Sequence, residues 1–592
     1  MNKTKLFMGT TMLSVVAMTL AACGKSNKSA ETKTIKPTEI SALKTSVPEA
    51  PTKQGGTVKT ALISDSPFTG IFITELQTTT VDTAVSQYGI EDLFGMNDHY
   101  VFNNNGPATL KLDQKAKTAT INIKKGVKWS DGKQVTARDY VYAYEVLANP
   151  EAQNPKYNGS LTNIIGMEDY HNGKSKTISG IKMPDGANGR KIVIHFKEMK
   201  PGMKQSGNGY IHEVALPYHY LKDVSFNKLI SSDKIRKKPL FYGPYQVKDI
   251  VRGESVTWVP NKYYWRGTPK LSKIEISVVS STSATEALKA HQFDVIQVQS
   301  SKWNDIKKTK GFNFVKGTVP QYTYLGFKVG KWENNKNVMD KNSKMNNKSL
   351  RQAIAYGMNI EGTYGKMSNG AAFRIPTLIP TQFGDYSDKN IKGYTYNIKK
   401  ANQLLDKAGY KKKGTYRIQP NGKKLTIRLA AMGSGDAAKN PVIQTFIQDW
   451  KKMGLNVKLT DNRLLDQNIF LDKLQHDDSN IDMFINAWNL ATEPSPAMVY
   501  GEKTPMNYGR FVTKKNNQLI KEIDSQKAFN HSYRVDKFHE WQKYMNDEAY
   551  VVPMYNAYQV TAVNSKLTGY STSPSKSMGN KLPNWYYVGY KK

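Results

Sequence analysis

Cysteine is all but missing: the chain of 592 residues holds one, Cys23. No disulfide can form within the chain, and the body after Cys23 has no thiol chemistry. Long apolar runs are missing as well. Beyond residue 22 no stretch of about eighteen apolar residues occurs, so nothing there reads as a membrane-spanning helix. Acidic residues are few beside basic ones, 49 Asp and Glu against 85 Lys and Arg, for a formal net charge of +36. The cations are scattered along the whole length. That pattern argues against nucleic acid and suits an anionic cell envelope. Catalytic signatures are absent too. His212-Glu213 and His539-Glu540 lack the second histidine of a zinc-protease helix. Gly433-Ser434-Gly435 has Met432 where a nucleophile elbow needs its first glycine, and it lacks the Lys-Ser/Thr end of a phosphate loop. A triad assembled in three dimensions stays open. The balance favours a binding protein without cofactor or metal.

What is present begins with the single cysteine. Lys3 and Lys5 precede a mostly apolar stretch from Phe7 to Ala22, which ends in Leu20-Ala21-Ala22-Cys23. A charged start, a short apolar segment and small residues before a cut site mark a secretory signal. The tetrapeptide, with Gly24 behind it, resembles a bacterial lipobox. The resemblance implies a diacylglyceryl group on Cys23, cleavage before it, and attachment to membrane lipid on the extracellular face. Two or three acyl chains are what stable anchoring needs. Residues 1–22 are therefore read as a lipoprotein signal peptide. Residues 23–54 are read as a lipidated flexible tether, because their Lys, Thr, Ser, Pro and Glu lack apolar periodicity. Order is expected from about Gly56.

The remainder is too long for one core and predicts two or three lobes. Thr57 to Ile63 reads as a strand, and Ser66 to Gly70 as the loop after it. Alternation over Thr109–Leu112 and Ala119–Ile123 predicts a hairpin. Asp131-Gly132 is a turn dipeptide. Thr136 reads as the N-cap of a helix from Ala137 to Leu147, with Tyr140, Tyr144 and Leu147 on one face. Leu425–Ala430 and Leu455–Leu459 read as strands joined by a helix carrying Val442, Phe446, Trp450 and Met453. That is a strand–helix–strand unit of a parallel sheet. Ligands of such sheets sit beyond the strand ends, which points to the 432–436 loop and Ser434.

Trp129-Ser130-Asp131-Gly132 with Thr136-Ala137-Arg138-Asp139 resembles family 5 of the bacterial extracellular solute-binding proteins, the oligopeptide and dipeptide group of ABC importers. Further stretches match in order: Tyr242-Gly243-Pro244-Tyr245, Asn261 to Trp265, Thr285 to Val295, Leu350 to Met358, Lys400 to Tyr410 and Tyr550 to Tyr555. The wording is closest to the lactic-acid-bacterial type. The resemblance implies a two-lobed α/β fold of the periplasmic-binding-protein kind, with an additional domain and a hinge between lobes. Mapped onto this chain, lobe I takes 55–95, 232–325 and 545–592. The additional domain takes 96–231 and lobe II takes 326–544, with crossings near 325 and 545. It also implies capture of oligopeptides in an interlobe cleft and delivery to the permease subunits of an ABC transporter, by a monomer. A peptide-pheromone receptor, a receptor for another ligand or an adhesin of the same fold is the alternative.

The resemblance implies that the stretch from Ile481 to Pro496, read as a strand ending in a Pro-rich loop, contacts the ligand. Ala491 stands where many members carry the acidic partner of the peptide's α-ammonium, and Glu493 is the nearby carboxylate. Either Glu493 takes that role or the amino end is not held by charge. A solvent-facing Glu493-Pro494 turn is the other reading. Trp488 reads as a ligand contact or as a core aromatic. Asn489, Ser434, Phe68 and Tyr322 complete the expected ligand-contacting set.

Overall fold

The β-branched segment Thr57–Ile63 lies at the centre of a seven-stranded sheet in a computed structural model that describes residues 38–592 apart from 153, 434–438 and 580–581. Cys23 and Ser434 lie outside the described residues. The strand order is Phe312–Gly317, Gln559–Asn564, Val295–Val298, Thr57–Ile63, Lys273–Val279, Ser255–Pro260 and Tyr245–Val251. Thr57–Ile63 runs parallel to Lys273–Val279, with Thr57 opposite Lys273, and parallel to Val295–Val298. Val58, Trp258, Ile274, Ile276 and Val563 form the core on this sheet.

A six-stranded sheet orders Ala372–Arg374, Val551–Ala557, Gln321–Phe327, Met483–Asn489, Thr426–Ala431 and Asn456–Leu459. The last two strands are parallel and joined by the helix Lys439–Lys452, as the apolar stripe predicts. Val442, Phe446, Trp450 and Met453 are buried on that stripe. The Trp450 indole N–H donates to the Ile354 carbonyl at 2.9 Å, so the ring is both packed and satisfied.

A four-stranded antiparallel sheet holds Ala108–Asp113, Thr118–Ile123, Lys191–His195 and Ile181–Lys182. The expected hairpin pairs Ala108 with Ile123. The helix Ala137–Ala148 opens in a capping box, Thr136 accepting from the Asp139 N–H and Asp139 accepting from the Thr136 N–H. Asp139 is buried and accepts three further bonds, from Trp129 Nε1 at 3.1 Å, Thr136 Oγ1 at 3.0 Å and the Tyr218 N–H at 2.8 Å. The tryptophan and the aspartate of the first motif are thus two ends of one buried bond.

Two expectations change. The segment read as tether is part of the folded body from Thr38 onward. Ile40 is fully buried in the helix Glu39–Ala42, the Val47 N–H donates to the Tyr570 carbonyl at 3.1 Å, and Lys53 N–H donates to the Tyr590 carbonyl at 2.9 Å. Its apolar residues stand singly, each filling a separate site, and so leave no periodic trace. The passages between the two large sheets fall at residues 318–320 and at Tyr558, rather than near 325 and 545. Leu325 lies inside a strand of the six-stranded sheet and Met545 inside the helix His531–Glu548. Val551–Ala557 hydrogen-bonds to Gln321–Phe327, so that strand completes the six-stranded sheet.

Candidate functional site

Met483–Asn489 is an interior strand: Thr426–Ala431 runs parallel to its first part, Met483 to Ile485, and Gln321–Phe327 pairs antiparallel with it as far as Asn489. Trp488 lies opposite Tyr322 in the register. Its half-buried ring stacks between Tyr324, 6.5 Å away at 8°, and Tyr508, 5.5 Å away at 15°. The ring is packed, as a core aromatic would be, and part of it faces solvent. Asn489 and Ala491 are exposed. The chain then turns inward at Thr492, whose hydroxyl donates to the Ser206 carbonyl at 2.6 Å. Gly207 lies against it with φ +67°, and a Cβ there would come within 2.4 Å of Thr492 Oγ1. Only glycine fits both the conformation and the approach.

Glu493 is not an open carboxylate. Arg534 Nη2 donates to its Oε1 at 2.6 Å, and the Ser495 N–H donates to its Oε2 at 3.0 Å. Arg534 also reaches Asp524 at 3.5 Å and Gln205 Oε1 at 3.3 Å. Burial pushes the Glu493 carboxyl up, and the Arg534 guanidinium opposes that rise. The expected pairing with a ligand ammonium therefore meets a carboxylate whose oxygens are already engaged. Phe68 and Tyr322 do not face solvent. Phe68 packs with Phe72 in the core of the seven-stranded sheet, and Tyr322 shares a 2.6 Å hydroxyl contact with Tyr500. They belong to the cores of the two large sheets.

The structure brings a different set together. A cavity of about 360 Å³ opens beside Ala491 and Thr492. Besides these two residues, its lining comes from three stretches far apart in sequence. Glu75, Asp92 and Met96 come from the first, Leu147, Lys156 and Leu161 from the second, and Ile211, His212 and Glu213 from the third. Glu213 accepts from Ser206 Oγ at 2.8 Å and the Gly207 N–H at 2.5 Å, and it is hydrogen-bonded to Asp92. Burial pushes the Glu213 carboxyl up, and the Gly207 N–H and the Ser206 hydroxyl oppose that rise. Glu75 Oε1 contacts His212 Nε2 at 2.7 Å, while Glu75 Oε2 is buried without a hydrogen-bond partner. Lys156 donates to the Thr74 carbonyl, and burial holds its amine below the usual lysine range.

Sequence reading missed this set because no two of the three stretches are neighbours along the chain. His212-Glu213 was visible only as a failed metal motif. A charged pair flanked by apolar residues in Tyr210-Ile211-His212-Glu213-Val214-Ala215 was the available signal, since such a pair needs buried partners.

Comparison with known proteins gives a consistent result. Residues 106–509 match the family described as bacterial extracellular solute-binding proteins, family 5, middle. The chain is 38% identical over 579 residues to the oligopeptide-binding protein OppA of Lactococcus lactis subsp. lactis, covering 96% of each chain. Its structure resembles lactococcal OppA complexed with an endogenous peptide in the closed conformation. That match has a TM-score of 0.76 and 37% identity, and covers 90% of this chain and all of that one. AppA from Bacillus subtilis, in complex with a nonapeptide, shares the fold at a TM-score of 0.65 and 20% identity, with 92% of this chain and all of that one covered.

Proposed function

Since the chain belongs to the bacterial extracellular solute-binding proteins of family 5, we propose that it captures oligopeptides in a cleft between its lobes and hands them to an ABC importer. One observation carries the reading: similarity to a peptide-bound oligopeptide-binding protein runs through nearly the whole chain. The protein is a binding protein and not an enzyme, as its relatives are. In this reading the seven-stranded sheet belongs to lobe I and the six-stranded sheet to lobe II. The passages at 318–320 and Tyr558 serve as the hinge strands. The region around the four-stranded sheet is the additional domain. Closure about such a hinge would hide the ligand and mark the loaded state for the permease subunits.

Extended peptides offer the same backbone donors and acceptors whatever their sequence, so pairing with cleft backbone supplies affinity without strict preference. Mixed peptides of roughly four to twelve residues should therefore raise the melting temperature by mass action and be recovered intact. No shift with any peptide, or steady cleavage by a homogeneous preparation, would reject the reading.

The lipobox at Cys23 supports lipid anchoring on the extracellular face. Cys23→Ala should move the protein from the membrane fraction to the medium when cells are fractionated. A variant that stays wholly with the membrane contradicts the anchor.

A further inference from the structure

The cavity beside Ala491 and Thr492 has acidic groups at several points and aliphatic side chains between them. Resting on the peptide-binding reading above, we propose that it is a pocket for a lysine or arginine side chain of the bound peptide. Glu75 Oε2 takes the cationic head, with Glu213 and Asp92 adding their carboxyl groups to the lining, and Met96, Leu147, Leu161 and Ile211 take the methylene stem.

Three carboxyl groups line the space, against Lys156 and His212, the latter held on Glu75 Oε1 at 2.7 Å. Lys156 is already turned to the Thr74 carbonyl. Glu75 is 1% exposed, and its Oε2 has no hydrogen-bond partner. A buried carboxylate oxygen in that condition is costly, and a cation or a donor brought by a ligand removes the cost. The aliphatic residues decide which cation fits. A peptide's α-ammonium is short and leaves them bare. Lys and Arg carry a long apolar stem under a charged head, the one side-chain class that matches both kinds of surface. The volume of about 360 Å³ holds one such side chain with several waters. An acidic side chain would add a further negative group to a space already rich in them.

The test uses the mature protein and peptides identical except at one position, which carries Lys, Arg, norleucine or Glu, each scanned along the peptide. Affinities come from calorimetry. At one position Lys and Arg should bind at least about tenfold more tightly than norleucine, with Glu weakest. Acetylating the amino end should leave that ratio unchanged. Glu213→Gln should shrink the Lys-to-norleucine ratio to within about twofold. Glu75→Gln, with its own partner His212, should shrink it independently, which covers a Glu213 variant that fails to fold. Equal affinities for Lys and norleucine at every position overturn the pocket. So does a Lys advantage that disappears on acetylation, which would assign the cavity to the α-ammonium, or an advantage retained in both variants. Absence of binding by every peptide overturns the peptide reading and the pocket with it. Binding without discrimination overturns only the pocket.

Discussion

Arg534→Met should destabilise the protein by about 3–5 kcal/mol, the range for removing one partner of a buried ion pair. The Arg534 side chain is 2% exposed and the Glu493 side chain 13%, so water cannot replace the missing guanidinium. Asp524 stands 3.5 Å from the same guanidinium, which leaves two carboxylates facing each other once it is gone. Adding Glu493→Gln to the variant should return at least about 1 kcal/mol, because it removes one stranded charge. Urea midpoints across the double-mutant cycle measure both effects. A single-variant loss below about 1 kcal/mol would make the pair unimportant.

The loss should also depend on pH. Without Arg534, burial and the neighbouring Asp524 carboxylate outweigh the Ser495 N–H and raise the Glu493 carboxyl further above the ordinary value. The native state then holds that proton more tightly than the unfolded chain does. Stability of the variant therefore falls as pH rises above the ordinary carboxyl range. Its deficit against the wild type should be smallest near about pH 5 and largest near neutrality.

Asp139→Ala should cost a comparable amount, about 3–5 kcal/mol, through a different cause. It leaves the Trp129 indole N–H, the Thr136 N–H and the Tyr218 N–H without their acceptor, all about a carboxylate that is 2% exposed. Hydrogen bonds to a charged acceptor contribute roughly twice what neutral ones do. Asp139→Asn keeps one acceptor oxygen and turns an amide donor toward the others, so its cost should be smaller but still above about 1 kcal/mol. Hydrogen exchange across the helix Ala137–Ala148 reads the effect locally. Unchanged protection there would refute it.

The same residues mark what a sequence can reveal. Thr136 and Asp139 lie three positions apart, so their capping box was legible as spacing. So were the hairpin at 108–123 and the stripe from Val442 to Met453, whose partners follow a period of two or of about 3.6. Arg534 and Glu493 are 41 positions apart and Gln205 is 329 from Arg534, distances at which no local pattern exists. Glu493 was visible as the one carboxylate in its loop, but its partner was not. The cavity around Glu75, Asp92 and Glu213 was illegible for the same reason, and so was the burial of Phe68 and Tyr322. Burial is a property of the assembled layers, and periodicity reports only a residue's face within its own element. In this chain the first of the family-like motifs is held by a buried contact, Trp129 Nε1 to Asp139.

The clasp between the first and last described segments bears on how the protein is made. Thr38 to Lys53 is held by Gly370, Tyr570 and Tyr590, and Gln559–Asn564 fills the gap between Val295–Val298 and Phe312–Gly317. A ribosome delivers the first of these segments hundreds of residues before the last. The seven-stranded sheet therefore cannot close during synthesis, and the early strands wait with an unpaired edge. Contacts of such sequence separation form slowly. On the proposed function, which places the protein outside the cell, the delay is an advantage, since a chain that is late to fold stays threadable until its final residues have passed. The same ordering makes the C-terminus as sensitive as any core: a stop codon before Gln559 would leave Val298 and Val315 without the strand that lies between them.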